Sequence, residues 1–306
     1  MSKKPRIALV IGDPAGIGPE LIAKLLAEPE TSAMADIVLI GSQAVMGPSY
    51  DMHQWLGVNE SGFERGVAGH DNGSFMLAML QEGLKLIAQD KADALCFAPL
   101  NKGALRAGGM THEDELRWFA EQLMHTGTCG ELNVLENLWT SRVTSHIALK
   151  DVSRHVTSDG VARAIQMIYE ALKKSGKASP RIAVCGLNPH NGDGGNYGRE
   201  EIDVIAPGIE LAKAGGIHAD GPFPADTIFV RARGGAYDGI VTMYHDQGQI
   251  AMKLMGFEKG VTVQGGLPVI VTTPAHGTAY DIAGRGIANV GAMRNAFYLA
   301  CAMAAQ

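Results

Sequence analysis

Residues 7–20 of the chain read IALVIGDPAGIGPE, and this segment indicates the class of fold. The aliphatic run 7–11 predicts a buried strand that ends at Gly12. Pro19 falls where a helix is expected to begin, a position that proline favours. A strand, a glycine-rich turn and a helix in this order form the repeating unit of α/β folds. The turn lacks the G-x-G-x-x-G dinucleotide fingerprint, so it is either a tight connection or a loop that faces a ligand.

The same alternation of strand and helix patterns continues along the chain. The predicted strands are 7–11, 37–40, 94–98, 143–149, 182–185, 239–243, 261–263 and 269–272. The predicted helices are 20–27, 74–89, 113–124, 158–174 and 201–214. Strands that alternate with helices of this length predict an α/β fold with a largely parallel sheet. Ligands of such sheets bind at the carboxyl ends of the strands.

Composition limits the class of protein and its partners. A chain of 306 residues with 46% hydrophobic content can form one or two globular domains. Its net charge of −6, without a basic cluster, argues against nucleic acid and anionic membranes as partners. No apolar run approaches the roughly 18 residues of a membrane span. The four cysteines form no C-x-x-C pair and adjoin apolar residues, which predicts buried free thiols and a cytoplasmic location.

Three histidines are associated with predicted strands. His146 lies in the run 143–149, His190 follows the run 182–185, and His245 follows the run 239–243 and precedes Asp246. Three neutral imidazoles leave coordination positions open on a divalent ion, as a catalytic metal site requires. Each histidine taken alone fits an ordinary polar residue at a strand end better than a ligand, and it is the polar neighbours of His190 and His245 in glycine-rich turns that favour the metal site.

Two lysines and one loop are further candidates for ligand binding. Lys102 follows a predicted strand, where it either pairs with a substrate anion or is simply solvated. Lys253 is flanked by apolar residues, a setting in which a charge usually has a partner or extends to solvent. The small residues of the loop 274–289 can wrap an adenine and ribose, and Asp281 can accept from ribose hydroxyls.

Together these segments resemble the 4-hydroxythreonine-4-phosphate dehydrogenase (PdxA) family over nearly the whole chain. The matching motifs are GDPAGIGPE at 12–20, APLNK at 98–102, NPH at 188–190, YHDQG at 244–248 and GLP at 266–268. The loop HGTAYDIAGRGIAN at 276–289 is also similar to the nucleotide loop of isopropylmalate and isocitrate dehydrogenases.

The resemblance implies a two-domain α/β/α fold of the isocitrate/isopropylmalate dehydrogenase-like type, with an interdomain cleft. A discontinuous nucleotide-binding domain is expected at 1–114 plus 265–306, and a domain for metal, substrate and dimerisation at 115–264. It also implies a homodimer whose active sites are shared between subunits.

The resemblance also implies roles for individual residues. The metal ligands are His146, His190 and His245. Substrate contacts fall on His112, Glu113, Lys253 and Thr262, with Glu113 in place of the family's threonine. Cofactor contacts fall on Gly265, His276, Gly277, Asp281 and Asn289. The base that accepts the alcohol proton is one of Lys102, Asp246 and His112.

The implied activity is a metal-dependent, NAD(P)-linked oxidation, with decarboxylation, of a 4-phosphorylated hydroxy acid. The candidate substrates are 4-hydroxythreonine-4-phosphate of pyridoxine biosynthesis, 4-phosphothreonate or 4-phosphoerythronate, and, as the alternative, a carboxylated cis-dihydrodiol of aromatic catabolism. Thr262 and Val271 stand where the family has asparagine and arginine, which shifts weight to the last two classes. Lys102, Lys253 and Arg285 can still meet an anion, so a phosphorylated acid is favoured.

Several alternatives stay open at the level of sequence. A non-catalytic, ligand-binding homologue is the alternative from another class of protein. Asp281 facing the ribose favours NAD, whereas Arg285 or Arg294 favours NADP. Imidazoles suit zinc, cobalt, nickel or iron, whereas hydroxy-acid oxygens favour magnesium or manganese.

Overall fold

The computed structural model describes residues 4–53 and 63–306. Within this part of the chain, ten strands confirm the predicted α/β class. They are β1 (Arg6–Val10), β2 (Asp36–Ile40), β3 (Ala94–Phe97), β4 (Gly130–Leu135), β5 (Leu138–Arg142), β6 (Ile182–Cys185), β7 (Ala219–Phe223), β8 (Gly239–Thr242), β9 (Val261–Gly265) and β10 (Ile270–Pro274).

Helices alternate with most of these strands. In chain order they are α1 (Gly18–Leu26), α2 (Pro29–Met34), α3 (Gln43–Met46), α4 (His70–Ala88), α5 (Lys102–Ala107), α6 (Glu115–Gln122), α7 (Val152–His155), α8 (Ser158–Lys174), α9 (Ala206–Ala214), α10 (Ala225–Arg233), α11 (His245–Gly256) and α12 (Gly291–Ala304). No helix in the described residues combines the length and the apolar content that crossing a bilayer requires.

The chain folds into two compact units, Met1–Thr126 with Val261–Gln306, and Gly127–Gly260. The sequence places the corresponding boundaries at 114/115 and 264/265. Helix α6 explains the first difference, because Phe119 of this helix packs against Phe97 of β3, with ring centroids 5.9 Å apart. The roles assigned to the two domains stay predictions.

The first unit contains five strands in the order β2-β1-β3-β10-β9. Strands β1, β2, β3 and β10 are parallel, and β9 runs antiparallel to β10. Helix α4 contacts β1 and β3 through positions such as Gly83, whose Cα faces Leu95 of β3. Helix α12 packs on β10, where the Thr272 hydroxyl donates to the Ala296 carbonyl at 2.9 Å.

The second unit contains five strands in the order β4-β5-β8-β6-β7. All are parallel except β4, which forms a hairpin with β5. Helix α8 begins at the Thr157 cap, whose hydroxyl accepts from the Gly160 amide, and it buries an apolar stripe that includes Ile168 and Leu172. Residues of α10 and α11, such as Ile228 and Met252, pack with Ile240 of β8 in a separate apolar cluster.

One predicted strand is wrong. The run 143–149 is not a strand, because β5 ends at Arg142, where it pairs with Thr242, the last residue of β8. The amides of Val143 and Thr144 still donate to the carbonyls of Thr242 and Met243, and in the described residues the ladder ends there, because the neighbouring segment begins α11 at His245. His146 therefore lies in a loop after a strand rather than within one.

The prediction of buried free thiols holds for three of the four cysteines. Cys96, Cys185 and Cys301 are buried thiols outside any disulfide, whereas Cys129, also outside any disulfide, is only half-buried. Burial raises the pKa of the Cys96 thiol to about 12.

Candidate active site

The three predicted metal ligands follow three adjacent parallel strands of the second unit. His146 follows β5, His245 follows β8, and His190 follows β6. These strands are neighbours in the order β5-β8-β6. Because parallel strands end at the same edge of a sheet, the three loops lie side by side at the edge where ligands of α/β sheets bind.

Hydrogen bonds join these loops. Thr144, two residues before His146, donates to the Met243 carbonyl through its hydroxyl at 2.7 Å and through its amide at 3.1 Å. The Gln247 side chain accepts from the Met243 amide at 2.7 Å and donates to the Gly186 carbonyl at 2.8 Å. Gln247 thus bridges the loops that carry His245 and His190.

The structure brings two of the three histidines together. The ring centroids of His146 and His245 are 5.7 Å apart. Two imidazoles that share one ion at a metal–nitrogen distance of about 2.0–2.1 Å have their centroids roughly 5 to 6 Å apart, so this pair fits a shared ion. His245 Nδ1 lies 2.6 Å from Asp246 Oδ1, which directs Nε2 away from the carboxylate. A carboxylate on the second ring nitrogen is the usual support of a metal-binding histidine.

His190 does not join this pair within the chain. Its side chain is exposed, its backbone is left-handed with φ 52°, and its ring lies 6.3 Å from the Tyr197 ring. Among the residues that the structure describes, no three metal-ligating side chains are close enough to hold one ion. The three-histidine ligand set therefore stays a prediction.

Lys102 and His112, candidates for the base, lie in the first unit. Lys102 begins α5, which is capped by Asn101, and its Nζ is 4.0 Å from Glu115 Oε2. His112 Nε2 is 3.3 Å from Glu121 Oε2. The other ring nitrogen of His112, Nδ1, is buried and has no hydrogen-bond partner in the described residues. The third candidate, Asp246, belongs to the second unit and is engaged by His245.

The predicted substrate contacts differ in exposure. Glu113 and Lys253 are exposed, the latter on α11. Thr262 on β9 is almost buried. Val271 is fully buried on β10 beside Leu95, so its side chain offers a substrate no hydrogen bond. Gln264 of β9, which the sequence analysis did not single out, is 4% exposed, and its Oε1 has no hydrogen-bond partner in the described residues.

The turn at 12–20 supports the candidate nucleotide loop 276–289. The Ile17 amide donates to the Thr278 carbonyl at 3.0 Å. The Glu20 carboxylate accepts from the amides of Gly286 at 3.0 Å and Ala288 at 2.7 Å. Lys24 donates to the carbonyls of the same two residues. The turn is thus a structural support for this loop, a role that its sequence left open.

A hydrogen-bonded pair, the buried Asp13 and the half-buried Tyr280, fastens the first part of the same loop. Tyr280 donates its hydroxyl hydrogen to Asp13, which is fully buried and also accepts from the Ala15 amide at 2.9 Å. Burial raises the pKa of Asp13, although the hydrogen bonds from Tyr280 and Ala15 oppose this. Burial and the bond to Asp13 raise the pKa of Tyr280 as well. This pair ties the loop to the end of β1.

The loop borders a cavity of about 300 Å³, at the small end of the range for ligand pockets. Residues of the turn, the loop and α3 line it, together with Arg65. Asp281 is exposed, Asn289 accepts from the Gly291 amide at the start of α12, and Arg294 is paired with Glu28. Of the predicted cofactor contacts, Gly265 is buried, His276 is half-buried, and Gly277 is exposed.

Comparison with known proteins decides the family. Residues 9–300 match the model of the family described as "Pyridoxal phosphate biosynthetic protein PdxA". The chain belongs to the PdxA family. It is therefore a dehydrogenase, an oxidoreductase that works with a nicotinamide cofactor.

Relatives within the PdxA family match this chain over nearly all of its length. A protein of Pseudomonas aeruginosa named "Putative 4-hydroxythreonine-4-phosphate dehydrogenase 2" is 52% identical over 98% of this chain and 97% of its own. The D-threonate 4-phosphate dehydrogenase of Cupriavidus necator is 37% identical over 93% of each chain. The crystal structure of 4-hydroxythreonine-4-phosphate dehydrogenase from Klebsiella pneumoniae has a TM-score of 0.86 and 32% identity, covering 100% of this chain and 99% of the other.

The fold of this PdxA chain extends to more distant dehydrogenases. A β-decarboxylating dehydrogenase from Thermococcus kodakarensis matches with a TM-score of 0.54 and 16% identity, over 94% of this chain and 80% of the other. That likeness concerns the fold alone, and it confirms the predicted isocitrate/isopropylmalate dehydrogenase-like class.

Proposed function

We propose that this protein is a metal-dependent dehydrogenase that oxidises a 4-phosphorylated hydroxy acid with NAD or NADP and releases CO2 from the product. The observation that supports it best is the set of three histidine loops at the carboxyl ends of β5, β8 and β6, joined by Thr144 and Gln247. In this proposal His146, His190 and His245 are the metal ligands.

The substrate class follows from the relatives and from the available cations. Relatives named for 4-hydroxythreonine-4-phosphate or D-threonate 4-phosphate are 37–52% identical to this chain. Lys102 and Lys253 are exposed and can approach an anionic group. Val271 and Thr262 supply no positive charge, so these lysines would carry the recognition of phosphate. A phosphorylated four-carbon acid, hydroxythreonine phosphate or threonate phosphate, fits these features.

The residues of the second unit would orient the metal ligands. When bound, a divalent ion lowers the pKa of a substrate hydroxyl and stabilises negative charge on its oxygen. Asp246 holds the Nδ1 side of His245, which presents Nε2 as a ligand. We therefore propose an orienting role for Asp246 rather than that of the base.

This leaves Lys102 and His112 as candidates for accepting the alcohol proton. The unpartnered Nδ1 of His112 favours His112, because a buried polar atom without a partner in the protein is one that a bound ligand would satisfy. Lys102, which is half exposed and lies 4.0 Å from the Glu115 carboxylate, would then bind the anionic end of the substrate.

The loop 276–289 and its adjoining cavity are the proposed site of the adenosine half of the dinucleotide. The loop is held by Glu20, Lys24 and Asp13, so its backbone is ordered before a ligand arrives. Asp281 is exposed on this loop, where it can accept from ribose hydroxyls.

Exposed apolar residues support a homodimer as part of the proposal. Ile250 and Leu254 lie one turn apart on α11, the helix that begins at His245, and are 60% and 84% exposed. Ile147 and Leu149, which follow His146, are also exposed. Apolar surface of this kind beside a site is typical of a protein interface. A second copy that covers it would contribute to the same active site.

The test is reduction of NAD⁺ or NADP⁺ at 340 nm by protein loaded with Zn²⁺, Co²⁺, Mg²⁺ or Mn²⁺. The substrate panel contains phosphorylated and unphosphorylated four-carbon hydroxy acids and a carboxylated cis-dihydrodiol. His190→Ala is expected to abolish turnover. His218→Ala is the matched control, because His218 is exposed and precedes β7, at the opposite edge of the sheet.

Each outcome of this assay discriminates between candidate functions. Turnover of a phosphorylated acid that chelation removes supports the proposal. Turnover of the dihydrodiol alone transfers the activity to the alternative substrate. Absence of turnover and of dinucleotide binding in a folded protein refutes the enzyme and leaves a ligand-binding homologue. Light scattering with Leu254→Asp tests the dimer, which this variant is expected to dissociate.

A further inference from the structure

We propose that Glu201 is the positioning residue for His190, and that its carboxylate fixes the loop 187–194 in the conformation that presents this histidine. This inference rests on the proposed function in one respect, the assignment of His190 as a metal ligand. The control of the loop by Glu201 rests on contacts within the second unit.

Glu201 is a buried carboxylate whose hydrogen bonds go to this loop. It begins the π-helical segment Glu201–Ile205 before α9 and is 2% exposed. Its Oε1 accepts from the backbone amides of Leu187 and Asn188, both at 2.7 Å. Its Oε2 accepts from the Asn188 side chain at 3.0 Å. A buried charge requires such partners, so the carboxylate and the loop stabilise each other.

The loop needs this support because its backbone is strained. Six consecutive residues, 190–195, have positive φ, with values of 52°, 59°, 77°, 46°, 67° and 101°. Three of them, His190, Asn191 and Asp193, have side chains, which disfavour this left-handed region. A run of this kind persists only where its surroundings determine it.

The loop also packs closely against the carboxylate. A Cβ at Gly192 would lie 2.6 Å from Glu201 Oε2, and a Cβ at Gly186 would lie 3.1 Å from Glu201 Oε1. Gly186 lies four residues before His190 and Gly192 two residues after it. The carboxylate therefore limits the path of the backbone on both sides of the histidine. Among the described residues, the Glu201 carboxylate bonds to Leu187 and Asn188 rather than to the His190 imidazole, and it therefore acts through the backbone.

The test uses the Glu201→Gln variant of the full-length protein and Zn²⁺ as the probe. Glutamine keeps the size of the side chain but places an NH2 group towards the N–H donors of Leu187 or Asn188. Glu200→Gln is the matched control, because Glu200 accepts only from the Asn188 side chain among these donors, at 2.7 Å. Hydrogen exchange of residues 186–196 and the Zn²⁺ affinity against a chromophoric chelator are measured.

We expect Glu201→Gln to accelerate exchange in the loop and to weaken Zn²⁺ binding about 10- to 100-fold, as loss of an outer support of a ligand does. Saturating Zn²⁺ should restore kcat in this variant, because all three ligands remain. The Zn²⁺ affinity of the Glu200→Gln control should stay within about twofold of the wild type, well below the effect of losing an outer support. Unchanged loop exchange and unchanged Zn²⁺ affinity in folded Glu201→Gln would overturn the inference.

Two further variants keep the result interpretable. If Glu201→Gln does not fold, Asn188→Ala serves instead, because it removes a single bond to Glu201. This variant should accelerate loop exchange and weaken Zn²⁺ binding, each by less than Glu201→Gln would. If neither quantity changes, the inference is overturned. His190→Ala with wild-type Zn²⁺ affinity would refute the proposed metal ligand. The exchange data for Glu201→Gln would then still decide whether Glu201 controls the loop.

Discussion

Replacing Glu20 by alanine is expected to weaken dinucleotide binding, although Glu20 lies outside the loop 276–289. The substitution removes the acceptor of the Gly286 and Ala288 amides and the partner of Lys24. Burial disfavours the carboxylate, but hydrogen bonds from Lys24 and from the two amides outweigh it and lower the pKa of Glu20. The carboxylate is therefore ionised when it binds the loop at neutral pH.

The magnitude follows from these contacts. A hydrogen bond to a charged group contributes about 1.5 to 3 kcal/mol net. Two amides lose their acceptor in the variant. The loss is smaller than two full bonds, because the Glu20 side chain is 14% exposed to water and Lys24 still binds the Gly286 and Ala288 carbonyls. We therefore count the free energy of one such bond. In the variant, NAD⁺ binding has to supply this free energy to order the loop, so the affinity for NAD⁺ falls roughly 10- to 150-fold.

The assay is calorimetric titration of NAD⁺ into both proteins, together with thermal unfolding. Glu82→Ala is the control: Glu82 lies on α4, is 12% exposed, and is also paired with a lysine, Lys85, but away from the loop. It should lower the melting temperature without lowering NAD⁺ affinity. The reasoning is refuted if Glu20→Ala loses stability and binds NAD⁺ as tightly as the wild type.

Three other predictions concern metal affinity, thiol reactivity and acid stability. Gln247→Leu should weaken Zn²⁺ binding about 10- to 100-fold in calorimetry, because it separates the His245 and His190 loops; Gln249→Leu, which loses only a bond to Asn133, should not. A thiol reagent at pH 8 should modify Cys129 first in peptide mapping, since burial raises the pKa of the other three thiols to about 12. Asp238→Asn should flatten the fall of melting temperature below about pH 5. Burial opposes ionisation of Asp238, but hydrogen bonds from the Arg181 amide and Lys177 lower its pKa. The ionised carboxylate therefore stabilises the fold above the unfolded-state pKa of about 3.9, and this stabilisation is lost as pH falls through the folded value. An unchanged pH profile in that variant would contradict the assigned pairing.

Some features of the sequence could not reveal their role from local pattern. Glu20 and Lys24 form an ordinary i, i+4 pair on α1, and their contacts with Gly286 and Ala288 span more than 260 residues of chain. Glu201 begins a segment predicted as a plain helix, and nothing in that pattern indicates that its carboxylate is buried against Leu187. Both roles depend on long-range packing.

The sequence by itself determined the α/β class, most strand positions and the candidate histidines. Hydrophobic periodicity and turn residues act over a few neighbours in the chain, so consecutive residues are sufficient to predict them. The error at 143–149 marks the limit of this reasoning, because an apolar run becomes a strand only where a neighbour continues the ladder, and here the neighbouring segment begins α11 at His245, two residues after the last ladder carbonyl at Met243. Only the tertiary structure decided that β5, β8 and β6 are adjacent and that the loops of His146, His245 and His190 lie side by side. Strand order depends on which distant segments bury their surfaces together, and local residue patterns do not encode that choice.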